Sequence, residues 1–175
     1  VPNTLIEGNY NVQLEKVDEE GDVITESEAE FSWTLPGQSN AQTGTTTNGT
    51  LNLGTVQITD IENPDTITLI ETKAPEGYNG TIGNISVKVE KGISGSNKKI
   101  YQATNVELIE GGTNGATVKL EGNTILITIP NTPIEGNYDV QLEKVDEEGT
   151  LITSETEFRW RLPGERNSKT GTTAN

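Results

Sequence analysis

Gly8-Asn9-Tyr10-Asn11-Val12-Gln13-Leu14-Glu15-Lys16 alternates apolar and polar side chains with a period of two. Successive side chains of an extended strand point to opposite faces, so Tyr10, Val12 and Leu14 form one apolar row with Lys16 at its end, on the same side. The alternation continues outward along the chain, where runs of Val, Ile, Thr and Leu are broken by Gly, Asn and Pro. Strands are predicted over residues 8–16, 29–35, 50–59, 66–72, 82–90, 98–109, 116–121 and 124–130, and no helix is predicted. Gly122-Asn123 suits a tight hairpin turn. Residues 92–97 and 111–115 read as hairpin loops, and 36–47 as a longer polar loop. Many short strands with regular turn signals imply an all-β, antiparallel Greek-key sandwich.

The alternating stretch also occurs twice. Ile6-Glu7-Gly8-Asn9-Tyr10 aligns with Ile134-Glu135-Gly136-Asn137-Tyr138, and about thirty of roughly forty aligned positions are identical to the end of the chain. Val1-Pro2-Asn3-Thr4 in turn matches Ile129-Pro130-Asn131-Thr132. The expected organisation is a window onto tandem repeats: 1–3 as the tail of a preceding unit, 4–132 as one complete domain, and 133–175 as the opening third of the next.

Composition narrows the function. The 175 residues carry 27 acidic against 12 basic side chains, a formal charge of −15, which repels phosphate backbones and anionic lipid surfaces. Nucleic acid is therefore not an expected partner. Cysteine, histidine and methionine are absent, which removes disulfides, thiolate and imidazole metal ligands and the usual nucleophile–base pairs. A turnover enzyme is not expected, nor is a cofactor or metal. No signal peptide, membrane-length apolar run or C-terminal anchor is visible, so the sequence reads as an internal piece of something longer, with no membrane insertion in this segment.

Three strands end their apolar rows on a polar residue of the same face. Tyr10, Val12 and Leu14 lead to Lys16; Ile67 and Leu69 lead to Glu71; Ile125, Ile127 and Ile129 lead to Asn131. Taken singly, each is a strand end at which a polar side chain reaches solvent. Taken together they are an amine, a carboxyl and a carboxamide. If they converge, desolvation disfavours both ions and leaves a neutral nucleophile beside a neutral acid. Such an amine can attack the Asn131 carbonyl while Glu71 polarises it and shuttles protons, so that ammonia leaves and an isopeptide bond forms. Folding holds the groups at contact, where effective molarities of about 10⁵ to 10⁸ M apply.

Glu71-Thr72-Lys73-Ala74-Pro75-Glu76-Gly77-Tyr78 resembles the E-x-K-A-P-x-G-Y signature of the collagen-adhesin B-type, prealbumin-like domains of Gram-positive pilins and adhesins. Lys16-Val17-Asp18 is similar to that family's first-strand K-V-D, Ala29-Glu30-Phe31-Ser32-Trp33 to its A-x-F-x-L strand, and Asn131 to the Asn that closes its last strand. The resemblance implies a prealbumin/immunoglobulin-like sandwich with Lys16 and Asn131 as the crosslinked pair and Glu71 as the catalytic carboxyl of a single-turnover reaction. It likewise implies Lys144 as the crosslink lysine of the next repeat and Asn3 as the crosslink asparagine of the preceding one. The implied setting is an extracellular, cell-surface or cell-wall-associated fibre, with neighbouring repeats or identical chains as partners. The alternative is an adhesive module that binds a host extracellular protein or glycan through its loops, with Tyr78 and Tyr101 as candidate aromatics.

Asp18-Glu19-Glu20-Gly21-Asp22 offers oxygen ligands for calcium without the spacing of a known loop, so a solvated turn is the simpler reading. Leu35-Pro36-Gly37 and Leu162-Pro163-Gly164 begin like a sortase signal but lack its Thr-Gly continuation and read as turns. Asn48-Gly49-Thr50, Asn79-Gly80-Thr81 and Asn84-Ile85-Ser86 fit the glycosylation sequon, a short pattern common in Thr-rich chains. Trp33 and Trp160 alternate with apolar neighbours and read as core residues.

Overall fold

A computed structural model describes residues 7–94 and 100–173, which fall into two compact units, Val1–Glu135 and Gly136–Asn175. In the first unit the strands are β1 (Gly8–Val17), β2 (Glu30–Thr34), β3 (Gln42–Thr45), β4 (Thr50–Ile58), β5 (Asp65–Lys73), β6 (Tyr78–Asn79), β7 (Ile85–Ile93), β8 (Tyr101–Gly111), β9 (Thr117–Glu121), β10 (Thr124–Pro130) and β11 (Thr132–Pro133). The second unit contributes β12 (Glu157–Trp160) and β13 (Lys169–Thr172). There is no helix among the described residues.

Two sheets, ordered β4-β1-β10-β9 and β3-β2-β5-β7-β8, face each other. Tyr10, Val12, Leu14, Phe31, Ile67, Leu69, Val87, Ile125, Ile127 and Ile129 fill the space between them and are almost wholly excluded from solvent. Every one is an apolar member of a period-two row, and removing that area from water stabilises the sandwich. Among the described residues all strand pairings are antiparallel except one: β1 and β10 run parallel, with Val12 opposite Ile125, Leu14 opposite Ile127 and Lys16 opposite Ile129. The first and last long strands of the unit thus lie side by side and end at the same edge of the core.

The long polar loop expected over 36–47 contains an additional strand. β3 pairs with β2, Phe31 opposite Gly44 and Trp33 opposite Gln42. Gln-Thr-Gly-Thr has no apolar row to betray it; its pairing comes from backbone hydrogen bonds. Trp33 packs closely over its glycine, since a Cβ on Gly44 would stand 3.0 Å from Trp33 Cη2. β7 begins and ends three residues later than expected, and β8 begins three residues later and ends two later. The loop predicted over 92–97 lies partly outside the described residues.

In the second unit, β12 and β13 pair with Phe158 opposite Gly171 and Trp160 opposite Lys169, the register of Phe31 with Gly44 and Trp33 with Gln42. Its Asn137-Tyr138-Asp139-Val140-Gln141-Leu142 forms no strand, although the corresponding Asn9–Leu14 lies in β1. Tyr138, Val140 and Leu142 are 71%, 61% and 55% exposed, whereas Tyr10, Val12 and Leu14 are fully buried. β1 is a strand because β4 and β10 flank it on both sides; period-two patterning without a partner does not suffice.

Candidate functional site

Lys16, Glu71 and Asn131 converge at the end of the sandwich core. The parallel β1·β10 register carries Lys16 and Asn131 to the same edge, where Asn131 N donates to Val17 O at 2.9 Å. β5, in the facing sheet, supplies Glu71 from its own buried row. Lys16 and Asn131 are 1% and 0% exposed. The side chain of Glu71 is equally enclosed. One carboxylate oxygen joins the other two groups: Asn131 Nδ2 donates to Glu71 Oε1 at 2.9 Å, and Lys16 Nζ lies 3.6 Å from the same atom. Lys16 Nζ also donates to Ile129 O at 2.8 Å. Burial pulls the Lys16 pKa down from 10.5 to about 8, against the opposing pull of the Glu71 charge and hydrogen bond. Roughly one amine in ten is then neutral at pH 7, some hundreds of times more than for an ordinary lysine.

The octet Glu71–Tyr78 explains how Glu71 is held. Tyr78 N donates to Pro75 O at 3.2 Å across a turn whose Gly77 has φ +86°, a left-handed position that glycine adopts without strain. The reversed chain returns Thr81 to Glu71, and Thr81 N donates to Glu71 Oε2 at 2.5 Å. Gly80 permits the approach, since a Cβ there would stand 3.1 Å from Ala74 Cβ and 3.3 Å from Glu71 Oε2.

The Asn131 carboxamide is oriented by three contacts, and the orientation differs from the expected one. Glu71 meets the amide nitrogen, because a carboxylate accepts and only Nδ2 donates. The carbonyl oxygen Oδ1 faces the other way and accepts from Thr81 Oγ1 at 3.2 Å and from Asn114 Nδ2 at 3.3 Å. Neither Thr81 nor Asn114 is visible in the sequence as a site residue. Thr81 precedes β7 rather than lying in a strand, and Asn114 sits in the turn after β8, so no pleat row points to them.

Other expected positions fare differently. Lys144 Nζ donates to Thr156 Oγ1 at 2.5 Å, and Asn3 lies outside the described residues. Asp18, Glu20 and Asp22 bring carboxylate oxygens within 4.8 Å of one another. Asp18 Oδ1 is the acceptor of the Glu20 and Asp22 backbone N–H groups at 3.0 and 2.9 Å, which is the solvated turn. Asp146 makes the same two bonds to Glu148 and Thr150, where the third carboxylate is replaced by a hydroxyl. Trp33 is buried, with its indole N–H on Leu53 O at 3.0 Å, whereas Trp160 is 40% exposed.

Fold and cluster together define a class: an all-β sandwich domain with a buried amine, carboxyl and carboxamide at one end of its core, between the two sheets. The chain belongs to the SpaA prealbumin-like fold domain family, whose model matches residues 10–106, a span that includes Lys16 and Glu71. No curated protein matches the chain. Among solved structures, it is similar to the pilus adhesin SpaC from Lactobacillus rhamnosus GG in its open conformation, with 20% identity over 75% of this chain, 15% of that one and a TM-score of 0.50. The C-terminal fragment of the same adhesin matches at 20% identity over 75% of this chain and 47% of that one, with a TM-score of 0.49. The group B streptococcus pilus 2b backbone protein matches at 18% identity over 71% and 41% of the two chains, with a TM-score of 0.30. The chain thus spans under half the length of these proteins, and the likeness to SpaC is one of fold.

Proposed function

We propose that this chain is a structural module of a bacterial cell-surface fibre, a pilus or adhesin stalk, whose first unit is welded by an amide bond between Lys16 and Asn131. The observation that carries the reading is the shared Glu71 Oε1, which touches the nucleophilic nitrogen and the nitrogen that must leave. The Lys16 ammonium passes a proton to Glu71, and the neutral Nζ adds to Asn131 Cγ. The Cγ–Nδ2 bond then breaks as Glu71 returns the proton to Nδ2, and the second Nζ proton passes through Glu71 to the departing ammonia, which leaves as ammonium. Lysine amine and carboxamide become one secondary amide plus one ammonia, with no oxidant or cofactor. Glu71 ends as it began, and the reaction happens once per chain.

The bond would close a loop of about 115 residues, and the loop-entropy relation for crosslinks assigns that roughly 4 to 5 kcal/mol. It would also tie neighbouring parallel strands at one edge, so that tension entering along β1 passes to β10 without loading the core. A filament shaft has use for that property, and the names of the SpaC and pilus 2b proteins point to the same setting at the cell surface. Partners in such a fibre are further modules or identical chains, which would cover the exposed row Tyr138, Val140 and Leu142. The adhesive alternative draws little from its candidate aromatics. Tyr101 packs against the core, and Tyr78 is half-buried in the β6·β11 pair.

Intact-mass measurement tests the weld. The wild-type chain should be lighter than its sequence by one ammonia. Lys16→Ala and Glu71→Ala should show the full mass and melt on the order of 15 to 20 °C lower. Full mass in the wild type would end the proposal.

A further inference from the structure

Attack on Asn131 Cγ drives an electron pair onto Oδ1, which faces Thr81 Oγ1 and Asn114 Nδ2, whereas Glu71 Oε1 faces Nδ2. We propose that Thr81 Oγ1 and Asn114 Nδ2 are its oxyanion pair, the donors that stabilise the tetrahedral intermediate of the Lys16–Asn131 condensation. This rests on the isopeptide reading of the site.

Thr81 is 4% exposed, and its single hydroxyl proton has two acceptors at equal distance, Pro130 O and Asn131 Oδ1, both at 3.2 Å. Between two neutral carbonyls that choice is nearly even. Once Oδ1 takes on charge, the proton commits to it, because hydrogen bonds to an ionised acceptor are about twice as strong. The Asn114 N–H, long at 3.3 Å in the resting state, tightens for the same reason. Donors that gain strength only as charge develops accelerate the step, and donors that bind the ground state equally well do not.

Both donors are fixed in place. The loop bearing Thr81 and the turn bearing Asn114 are laced by a reciprocal pair of bonds, Ile82 N to Thr113 Oγ1 and Thr113 N to Ile82 O, each 2.9 Å. Gly112, at φ +65°, lets the two segments touch; a Cβ there would fall 2.3 Å from Thr81 Cγ2. Thr81 also holds Glu71 through its backbone N–H. A side-chain change at Thr81 therefore removes the oxyanion donor and leaves the contact to the carboxyl.

When Lys16 Nζ bonds to Cγ, the carbonyl π pair moves to Oδ1. When that pair returns, the Cγ–Nδ2 bond breaks, Nδ2 leaves as ammonia with the proton from Glu71, and Nζ gives up its second proton to the Glu71 carboxylate, from which the ammonia carries it off as ammonium. Oδ1 becomes the isopeptide oxygen, still facing both donors.

The test follows crosslinking in the full chain, pulse-labelled during cell-free synthesis, by intact mass and by mobility on denaturing gels. Thr81→Val should crosslink about a hundredfold more slowly than wild type, Thr81→Ser at close to the wild-type rate, and Asn114→Ala roughly tenfold more slowly. Asn114→Asp, which sets a negative charge against Oδ1, should be slower than Asn114→Ala. Each change is also placed in a Lys16→Ala background, where melting reads the fold without the weld. Equal melting there with slow crosslinking supports the pair; should Thr81→Val unfold that background, the order of the two Asn114 variants decides. Wild-type rates in Thr81→Val and Asn114→Ala overturn the oxyanion pair and leave the weld intact. A wild-type chain of full mass overturns both.

Discussion

Lys16 sits where few lysines do, at the end of an apolar row with its ammonium against a backbone carbonyl and a carboxylate. Its lowered pKa carries a sign that can be checked in a chain that folds but cannot weld, Asn131→Ala. The folded state releases the Lys16 proton near pH 8 and the unfolded chain holds it to about 10.5. Between those values the unfolded state binds more protons, so stability rises with pH across the window. The expected result is a melting temperature of Asn131→Ala that climbs from pH 8 to about 10.5, and a smaller climb once Lys16 is also replaced by Met. A second measurement concerns the reacting pair, which needs one proton between amine and carboxyl. Crosslinking of the wild type should slow above pH 8 as that proton is lost. A rate that rises to a plateau there would mean that Glu71 acts without it.

Among the elements, the turn between β3 and β4 bears directly on the site. Thr47 and Thr50 exchange backbone bonds of 2.8 and 3.1 Å around Asn48-Gly49, whose φ values of 50° and 75° are those of a mirror-image hairpin turn. Gly49 O accepts from Lys16 N at 2.7 Å. A Cβ on Gly49 would lie 2.3 Å from Val23 Cγ1 and 2.8 Å from Ile24 O. Gly49→Ala should therefore cost more than about 1 kcal/mol in a denaturant titration of the Lys16→Ala chain. Ile127→Ala, in the middle of β10 and fully buried, should cost roughly 2 to 5 kcal/mol in the same assay. Asn-Gly between two Thr-rich runs is a hairpin signal legible in the sequence, and the same residues coincide with a glycosylation pattern.

For the molecule as a whole, near-identical sequence adopts two states. Tyr10 is buried in β1, while Tyr138, in the same local sequence, is 71% exposed. Native-state digestion with chymotrypsin should cut at Tyr138 and Leu142 well before Tyr10 or Leu14. If the proposed weld has formed, the fragment that retains Lys16 and Asn131 should be lighter than its sequence by one ammonia. Cleavage at the two tyrosines at equal rates would mean that β4 and β10 do not protect β1 in solution.

The sequence by itself determined the strand rows, their buried faces and the three polar residues that end them, because side-chain alternation and burial are properties of a short segment. It also determined the octet whose Gly77 makes the turn back towards Glu71. Tertiary structure alone decided that β1 and β10 run parallel, that Gln42–Thr45 pairs as a strand, and that Thr81 and Asn114 close on the Asn131 carbonyl. Those outcomes depend on which backbone groups find each other across dozens of residues, and no local pattern encodes that choice. The two fates of one repeated stretch have the same origin: a strand exists where its edges are paired.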